Sequence, residues 1–504
     1  MASVQEKIAE SLKVLKDFQD SHDNMIIKGQ STLGETHTKR LLQNGYLQQV
    51  IRGWYIPSFP GSEGDTTVWY ASYWQFVSAY ATSRFGNDWC LTPGESLSFY
   101  AGETTCPSQL IIRSTKANNN VVELLHGDSL VDITASVPAN MFVEPRFNIH
   151  LYPLAEALVF CSQQYFISDA LNARTCLAQL KDASEIIKIV ADEGNTTRAS
   201  RICGALRNIG REDMADEISR FMQRLGHQLR IEDPFIEKSP LMSIGESPYS
   251  VRIRLMWEKM KKQIMSLGIT LRIKNNDIDS VIKNMEANYA KDSYHSLSIE
   301  GYRVTEGLIE KVKSGNWNPS GNSKDSEQRN ALAARGYYQA FEAVKDSVRK
   351  IMTGGLPGKT VAEDFSSWHF ELFQPCITAG IIKASDLAGY RNHQVYIRNS
   401  KHTPLNPDAL RDAMPTFCEL IGTEENAFVR AILGHFFFVY IHPYMDGNGR
   451  TARFIMNSML VTSGLPWTVI PVERRSIYMA ALEKASIEGD ISDFAQFIFG
   501  LIKK

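Results

Sequence analysis

The sequence predicts a mainly α-helical protein, in which an all-helical C-terminal domain is preceded by a winged-helix unit and a small α/β plus helical region. Three observations lead to this fold class. The chain has 504 residues, enough for two to four domains. Stretches rich in β-branched residues cluster in the first 150 residues. From about residue 250 to the C-terminus, apolar residues recur almost throughout at helical spacing.

Residues 1–60 are predicted to form a winged-helix-like domain. The stretch "SVQEKIAESLKVLKDFQ" has helical spacing, "STLGETHTKRLLQ" follows as a second helix, and "YLQQVIRGWYIP" contains two short strands around Arg52 and Gly53. This order is typical of a winged helix-turn-helix, although an ordinary small helical subdomain would give a similar pattern. DNA is therefore a candidate partner of a segment that is not strongly basic.

Residues 61–150 are predicted to form the small α/β region, because the aromatic-rich helix "TTVWYASYWQFVSAYATSRFG" precedes strands in "QLIIRST", "VVELLHG" and "LVDITASV". Residues 151–240 have the pattern of successive short helices. The stretch "DPFIEKSPLMSIGESPYS" is a predicted linker. In the last domain, residues 250–504, "SGNWNPSGNSK" is a predicted loop and "RNHQVYIRNSKHTPLNP" a predicted short hairpin.

The composition argues against several classes of protein. A formal net charge of -2 does not fit a nucleic-acid coat or a polybasic membrane binder. The seven cysteines are scattered without a CxxC pair, which predicts reduced thiols in a cytoplasmic protein. The N-terminus has no signal-peptide core. The most apolar run, "AFVRAILGHFFFVYI", is too short for a usual membrane span and is predicted to be a buried core helix, so no membrane partner is expected.

The stretch "HPYMDGNGRTAR", His442 to Arg453, lies between two predicted core helices. Thr423 is the predicted N-cap of the first helix, with Glu424 and Glu425 in its first turn. The proline after His442 marks the end of that helix, and "RTARFIMNSMLVTSG" is the second helix. The glycine-rich loop therefore opens at the N-terminus of a helix.

This loop has the chemistry of an anion site. The free backbone N–H groups of Gly447, Asn448 and Gly449 can point at a phosphate, and the helix dipole favours negative charge there. Arg450 and Arg453 project from one helix face at i, i+3 spacing. Two guanidinium groups at this position fit a polyphosphate.

Two further residues suggest a reaction. Asp446 beside the phosphates suits Mg²⁺, which proteins usually hold with one or two carboxylates. His442, with an unperturbed pKa of about 6.5, is largely neutral at pH 7 and can accept a proton. Each residue alone is compatible with a simple glycine turn between helices. Together they predict a phosphoryl or nucleotidyl transfer site.

The segment resembles the Fic motif, HPFx(D/E)GNGRxxR, with Tyr444 in place of the phenylalanine, and the resemblance extends over roughly residues 275–500. It implies a Fic-fold domain that transfers AMP from ATP to a Ser, Thr or Tyr hydroxyl of a target protein or of the chain itself. It also implies that His442 is the general base and that Asp446 binds Mg²⁺. "AGYRNHQVYI" with "SKHTPLNP" resembles the family's flap hairpin, which aligns the target by strand addition.

The same resemblance implies roles for three more side chains. Arg450 and Arg453 are expected to bind the β- and γ-phosphates and to stabilise the leaving pyrophosphate. Tyr478 lies where the family often lines the adenine pocket. A core tyrosine is an equally good interpretation of that position.

Upstream, "SYHSLSIEGYRV" contains a second motif of the family. Ser296 to Gly301 fits (S/T)xxxE(G/N), the Fic inhibitory motif, and predicts an inhibitory helix near 293–300. The resemblance implies that Glu300 pairs with Arg453 and puts negative charge where the γ-phosphate of ATP must sit. Independently, Gly301 ends the helix, so the Glu300 carboxylate opposes the helix dipole. A residue in such a locally unfavourable place often has another role, although an exposed glutamate is the simpler alternative.

The pattern "IIKGQSTLGETHTKRLLQNGYLQQVIRGWYIP" resembles the winged helix of AbiEi-type antitoxin regulators. This implies control of the protein's own operon, or a role in stress or phage defence. Alternatives for the whole chain stay open: a Fic-fold transferase with another donor, removal of AMP from a modified protein, or a DNA-binding regulator with a nucleotide-sensing Fic domain. The sequence leaves the target, the releasing signal and the presence of a homodimer undetermined.

Overall fold

The computed structural model describes residues 3–22, 25–61, 64–239, 246–273, 277–314 and 325–503. The chain divides into two compact units. Unit 1 comprises Met1–Arg252 and Tyr396–Thr403, and unit 2 comprises Ile253–Val395 and Pro404–Lys504. The predicted linker and the predicted loop "SGNWNPSGNSK" fall partly or largely outside the described residues. Among the described helices, none is long and apolar enough to cross a membrane.

Unit 1 begins with a small helical unit and an antiparallel three-stranded sheet of order β1-β3-β2. The predicted strand pair around Arg52 and Gly53 is present, with Gly53 at φ +81° in the turn. The predicted second helix, "STLGETHTKRLLQ", is confirmed only from Glu35 onwards, because helix α2 starts after Gly34 and not at Ser31. The elements are α1 (Val4–His22), β1 (Ile27–Lys28), α2 (Glu35–Gln43), β2 (Leu47–Ile51) and β3 (Trp54–Pro57).

The next part of unit 1 combines one long helix with two small sheets. The four-stranded sheet has the order β4-β5-β7-β6, in which β5 and β7 are parallel, and β8 pairs with β9. The aromatic side chains of the long helix α3 are mostly buried and form much of the core here. The elements are α3 (Thr67–Phe85), β4 (Cys90–Leu91), α4 (Pro93–Tyr100), β5 (Gln109–Ser114), β6 (Val121–Glu123), β7 (Ser129–Thr134), β8 (Phe142–Glu144) and β9 (Ile149–Leu151).

Six short helices complete the N-terminal part of unit 1. They enclose a hydrophobic core that includes Leu177, Ile186, Ile202 and Ile218. They are α5 (Leu154–Phe160), α6 (Gln163–Ser168), α7 (Ala170–Gln179), α8 (Ser184–Glu193), α9 (Thr196–Asn208) and α10 (Glu212–Arg224).

The segment Tyr396–Thr403 belongs to unit 1, although its chain neighbours on both sides belong to unit 2. Lys401 Nζ lies 3.0 Å from a carboxylate oxygen of the fully buried Asp128, and Arg398 Nε lies 3.2 Å from Asp65. The prediction of a hairpin in "RNHQVYIRNSKHTPLNP" is wrong, because the described residues of this stretch form no paired strands. Side-chain bonds hold the segment instead, on either side of a turn in which Asn399 has φ +58°.

Unit 2 is helical throughout its described elements. Helix α17 is buried on almost every side, as its apolar sequence predicts. The prediction of Thr423 as its N-cap is wrong: Thr423 is the last residue of α16, and the Asn426 side chain caps α17. Helix α11 (Pro248–Ser266) starts before Ile253, the first residue of unit 2, and continues into this unit. The other helices are α12 (Ile278–Ile299), α13 (Glu306–Lys313), α14 (Asp325–Met352), α15 (Pro357–Thr378), α16 (Leu410–Thr423), α17 (Ala427–Ile441), α18 (Asn448–Val461), α19 (Arg475–Glu488) and α20 (Ser492–Ile502).

All seven cysteines are free thiols, and five of them are buried. The absence of disulfides among these residues agrees with their scattered spacing.

Candidate active site

His442 caps the C-terminal end of α17 in the left-handed conformation, with φ 55° and ψ 61°. Its Nδ1 lies 3.1 Å from the main-chain oxygen of Val439. A carbonyl can only accept a hydrogen bond, so Nδ1 carries the proton and Nε2 keeps its lone pair. Burial lowers the pKa of His442 to about 4. The side chain is thus a neutral imidazole at physiological pH, with a nitrogen free to accept a proton.

The glycine-rich loop leads directly into α18. Gly447 is its N-cap at φ 85°, so the N–H groups of the first helical turn have no partner within the helix. The Asn448 side chain does not face a ligand, because it accepts from the N–H of Tyr444 at 3.0 Å and donates to the Tyr444 carbonyl at 2.8 Å. Asn448 thus shapes the loop with its amide, and its main-chain N–H belongs to the open helix end.

Arg450 is almost completely buried, with 1% of its side chain exposed. Its guanidinium carbon lies 5.0 Å from the ring centre of Phe373 and 5.3 Å from that of Tyr302, in cation–π contacts. Its Nη2 lies 3.2 Å from Oδ1 of Asp446. These contacts fix the guanidinium beside the loop.

Arg453 is bound by the end of α12. Its Nη2 donates to Oε1 of Glu300 at 2.7 Å and to the Ser296 carbonyl at 3.1 Å, while its Nε donates to the Ser296 hydroxyl at 2.8 Å. The Glu300 carboxylate also lies against Gly449, where an added Cβ would collide with Oε1. The pair that the sequence predicts, Glu300 with Arg453, is present, and it places a carboxylate over the open helix end.

Asp446 has the exposure expected of a metal ligand. Its side chain is 61% exposed, and Oδ1 accepts the N–H of Gly447 at 2.5 Å. Among the described residues, no group of three or more His, Cys, Asp or Glu could hold a metal ion. One exposed carboxylate beside an open helix N-terminus fits Mg²⁺, because this ion takes most of its remaining ligands from water and substrate phosphates.

The sequence interpretation missed His369 of α15. Its Nε2–H donates to the main-chain oxygen of Asp446 at 3.0 Å, and its ring stacks on Tyr444 with centres 3.6 Å apart. Burial lowers the pKa of His369 to about 4, so the ring is neutral. His369 and Phe373 are spaced i, i+4 in "WHFELF", and this spacing was the available signal.

Tyr478 is 2% exposed, and its hydroxyl lies 2.9 Å from Nε2 of His435. Its ring packs near Phe494 and Phe497, with centres about 6 Å away in each case. This is the environment of a core tyrosine. A contact between Tyr478 and adenine stays a prediction.

A neutral imidazole, an open helix N-terminus and two buried arginines define the class of site: a proton acceptor beside a polyanion-binding loop. Residues 361–460 match the Fic/DOC family. The chain therefore carries a Fic domain, and it lies in the C-terminal half.

Curated relatives named "Protein adenylyltransferase Fic" share part of the chain. The Drosophila virilis protein is 29% identical over 222 residues, which are 43% of this chain and 41% of the relative. The Drosophila ananassae protein is 38% identical over 119 residues, 23% of each chain. The chain thus spans about two fifths of the length of the first of these relatives.

Solved structures of Fic proteins also resemble the chain. Fic-1 from C. elegans is 19% identical with a TM-score of 0.37, covering 68% of this chain and 95% of that chain. A Fic domain protein from Bacteroides thetaiotaomicron is 20% identical with a TM-score of 0.33, covering 50% and 92%.

Proposed function

We propose that unit 2 is a protein adenylyltransferase that moves AMP from ATP to a hydroxyl side chain of a target protein or of the chain itself. The observation that carries this proposal is the 3.1 Å contact between Nδ1 of His442 and the main-chain oxygen of Val439. Because Nδ1–H is engaged with Val439, Nε2 is the atom available to take a proton. The names of the partial relatives support AMP as the transferred group.

In the proposed reaction, the hydroxyl oxygen of the target forms a bond to the α-phosphorus of ATP. The bond from that phosphorus to the bridging oxygen breaks, and pyrophosphate leaves. The hydroxyl proton passes to Nε2 of His442. The N–H groups at the start of α18, together with Arg450 and Arg453, hold the phosphates. Asp446 would hold the Mg²⁺, which neutralises phosphate charge when bound.

We further propose that the arrangement seen here is the inhibited state. The Glu300 carboxylate accepts a hydrogen bond from Arg453 at the place proposed for the γ-phosphate, and its negative charge repels the phosphates. The nucleotide therefore has to displace Glu300 before it can bind productively. Ser296 supports the same state through its two bonds to Arg453.

Incubation with ATP labelled at the α-phosphate tests the proposed reaction. Label should appear on protein weakly for the wild type and strongly for Glu300→Gly, and it should be absent for Glu300→Gly combined with His442→Ala. A matched control is Glu419→Gly, which breaks an ion pair with Arg254 in the same unit. No label in any variant, with other nucleotide donors then failing as well, would refute the transferase and favour the nucleotide-sensor alternative.

A second candidate function, DNA binding, is supported by the first 57 residues. Their strand order β1-β3-β2 and the helix before the strand pair suit a winged helix. Thr36 and Lys39 on α2 and Arg52 in the turn between β2 and β3 are exposed. A gel shift with the DNA upstream of the gene, at low salt, should show binding that weakens in Lys39→Ala with Arg52→Ala. Equal mobility with and without protein would refute it.

A further inference from the structure

Arg391 is a buried arginine outside the Fic motif, with 5% of its surface exposed. All three acceptors that the structure describes for its guanidinium are main-chain carbonyl oxygens. Nε donates to His442 at 2.7 Å, Nη1 donates to His393 at 2.9 Å, and Nη2 donates to Leu405. Burial lowers the pKa of Arg391 to about 10, so the group remains a cation at neutral pH.

The main chain of Arg391 adds a fourth bond. Its N–H donates to the carbonyl oxygen of Pro443 at 2.9 Å. One residue thus holds two successive carbonyls at the point where the chain leaves α17. His442 has φ 55° there, a backbone region that residues with a side chain rarely occupy. Such a conformation persists when its surroundings fix it.

The same guanidinium joins the two ends of the loop 391–405. His393 lies near the start of this loop and Leu405 at its end, and the carbonyl oxygens of both accept hydrogen bonds from the Arg391 guanidinium. The side chain of Gln394 adds a bond to the Pro404 carbonyl at 2.8 Å. This loop is the one that resembles the target-docking flap, and its base is therefore tied directly to the turn that carries His442.

We propose that Arg391 is a positioning residue for AMP transfer, which fixes the His442 turn and sets the base of the 391–405 loop against it. The inference rests on the proposed function. An arginine suits this role because its planar fork directs donors along several fixed directions. A lysine at the same place has a single ammonium nitrogen, which cannot bond to three carbonyl oxygens that lie in different directions.

Arg430 offers a matched control from the opposite end of α17. It is also buried, at 8% exposure, and its Nη1 donates to the main-chain oxygen of Glu424 at 2.7 Å. Its contacts are remote in sequence from the His442 turn. A purely structural role for a buried, carbonyl-bound arginine predicts the same behaviour for Arg391 and Arg430.

The test uses the full chain with Glu300→Gly, and adds Arg391→Lys, Arg391→Ala, Arg430→Lys or Arg430→Ala. Both Arg391 changes should lower kcat about 100-fold, because a displacement of 1 Å at a reacting group has an effect of this size. The KM for ATP should stay within about threefold, because no described contact of Arg391 involves the phosphate-binding loop or its arginines. Guanidinium in the tens of millimolar, against sodium chloride at equal ionic strength, should restore part of the activity of Arg391→Ala.

A kcat within about threefold of the parent for folded Arg391→Lys, or an equal loss in Arg430→Lys, would overturn the proposal. An activity-independent readout is the NMR signal of the His442 imidazole, identified by its loss in His442→Ala. This signal should shift in Arg391→Lys and stay in place in Arg430→Lys; an unchanged signal would also overturn the proposal. Absence of label from the Glu300→Gly parent would instead refute the proposed function, and the NMR comparison would still decide the role of Arg391.

Discussion

Replacing Glu300 by glycine should strengthen ATP binding. In the structure, Arg453 is 4% exposed and its Nη2 bonds to Oε1 of Glu300, whose side chain is 31% exposed. In the proposed mode of ATP binding, a phosphate takes the place of this carboxylate at Arg453. Without the carboxylate, the arginine keeps its two bonds to Ser296 and is available to a phosphate.

The size of the effect follows from the bond that is removed. A hydrogen bond to a charged group contributes about 1.5–3 kcal/mol, and about 1.4 kcal/mol corresponds to a factor of ten. The glycine variant should therefore bind ATP about 10- to 150-fold more tightly than the wild type. Glu300 lies next to Gly449, and its repulsion of phosphates bound there as proposed acts in the same direction.

Calorimetric titration with ATP and Mg²⁺ measures the change directly. Glu300→Gln removes the charge and retains the length of the side chain, so it should give an intermediate affinity. Glu419→Gln weakens the ion pair with Arg254 elsewhere in unit 2 and should leave ATP binding unchanged. Equal ATP affinity in the wild type and both Glu300 variants would show that this carboxylate does not compete with the nucleotide.

Three further predictions concern pH, backbone strain and a buried ion pair. The imidazole of His442 should titrate near pH 4 by NMR, and a midpoint near 6.5 would contradict its burial. Its contribution to the free energy of unfolding should fall as the pH drops from about 6.5 towards 4, because the unfolded chain binds the proton more tightly than the folded chain. Gly447→Ala should lower the free energy of unfolding by about 1–3 kcal/mol more than Gly380→Ala. Both glycines have positive φ, but only a Cβ at position 447 meets a neighbouring side chain. Equal losses of the two variants in urea unfolding would contradict this prediction. Lys401→Ala should lower the free energy of unfolding of unit 1 by about 3 kcal/mol, because it leaves the buried Asp128 without that cation. Adding Asp128→Asn should recover part of the loss. A loss below about 0.5 kcal/mol would refute the ion pair as a stabilising contact.

Much of the site could be predicted from sequence because its residues are close together in the chain. His442, Asp446 and Arg450 lie on one turn and the helix after it, so their spacing alone places them on one loop. The long-range pair of Glu300 with Arg453 could be expected only through a second motif of the same family. Neither spacing nor composition relates two residues that lie 153 positions apart.

The remaining features depend on tertiary contacts that no local pattern records. Arg391 has no charged partner in the sequence around it, because its acceptors are carbonyls, which every residue possesses. The loop 391–405 was predicted to be a hairpin but contains no paired strands, and the Lys401 side chain bonds to Asp128, which is distant in sequence. Thr423 was a plausible cap by residue type, yet Asn426 lies nearer to the apolar run and takes that position.

The two motif arginines are held in different ways, and this difference limits what activation has to change. Arg450 lies between the rings of Phe373 and Tyr302 and bonds to the loop itself. Arg453 donates three hydrogen bonds to Ser296 and Glu300 at the end of α12, and the Tyr478 side chain also lies within hydrogen-bonding contact of it. On the proposed inhibition by Glu300, release exchanges one carboxylate for one phosphate at Arg453, while the packing around Arg450 stays the same. A nucleotide shifts this equilibrium only by its preference for the state without the Glu300 contact, and titration of the Glu300 variants measures that preference.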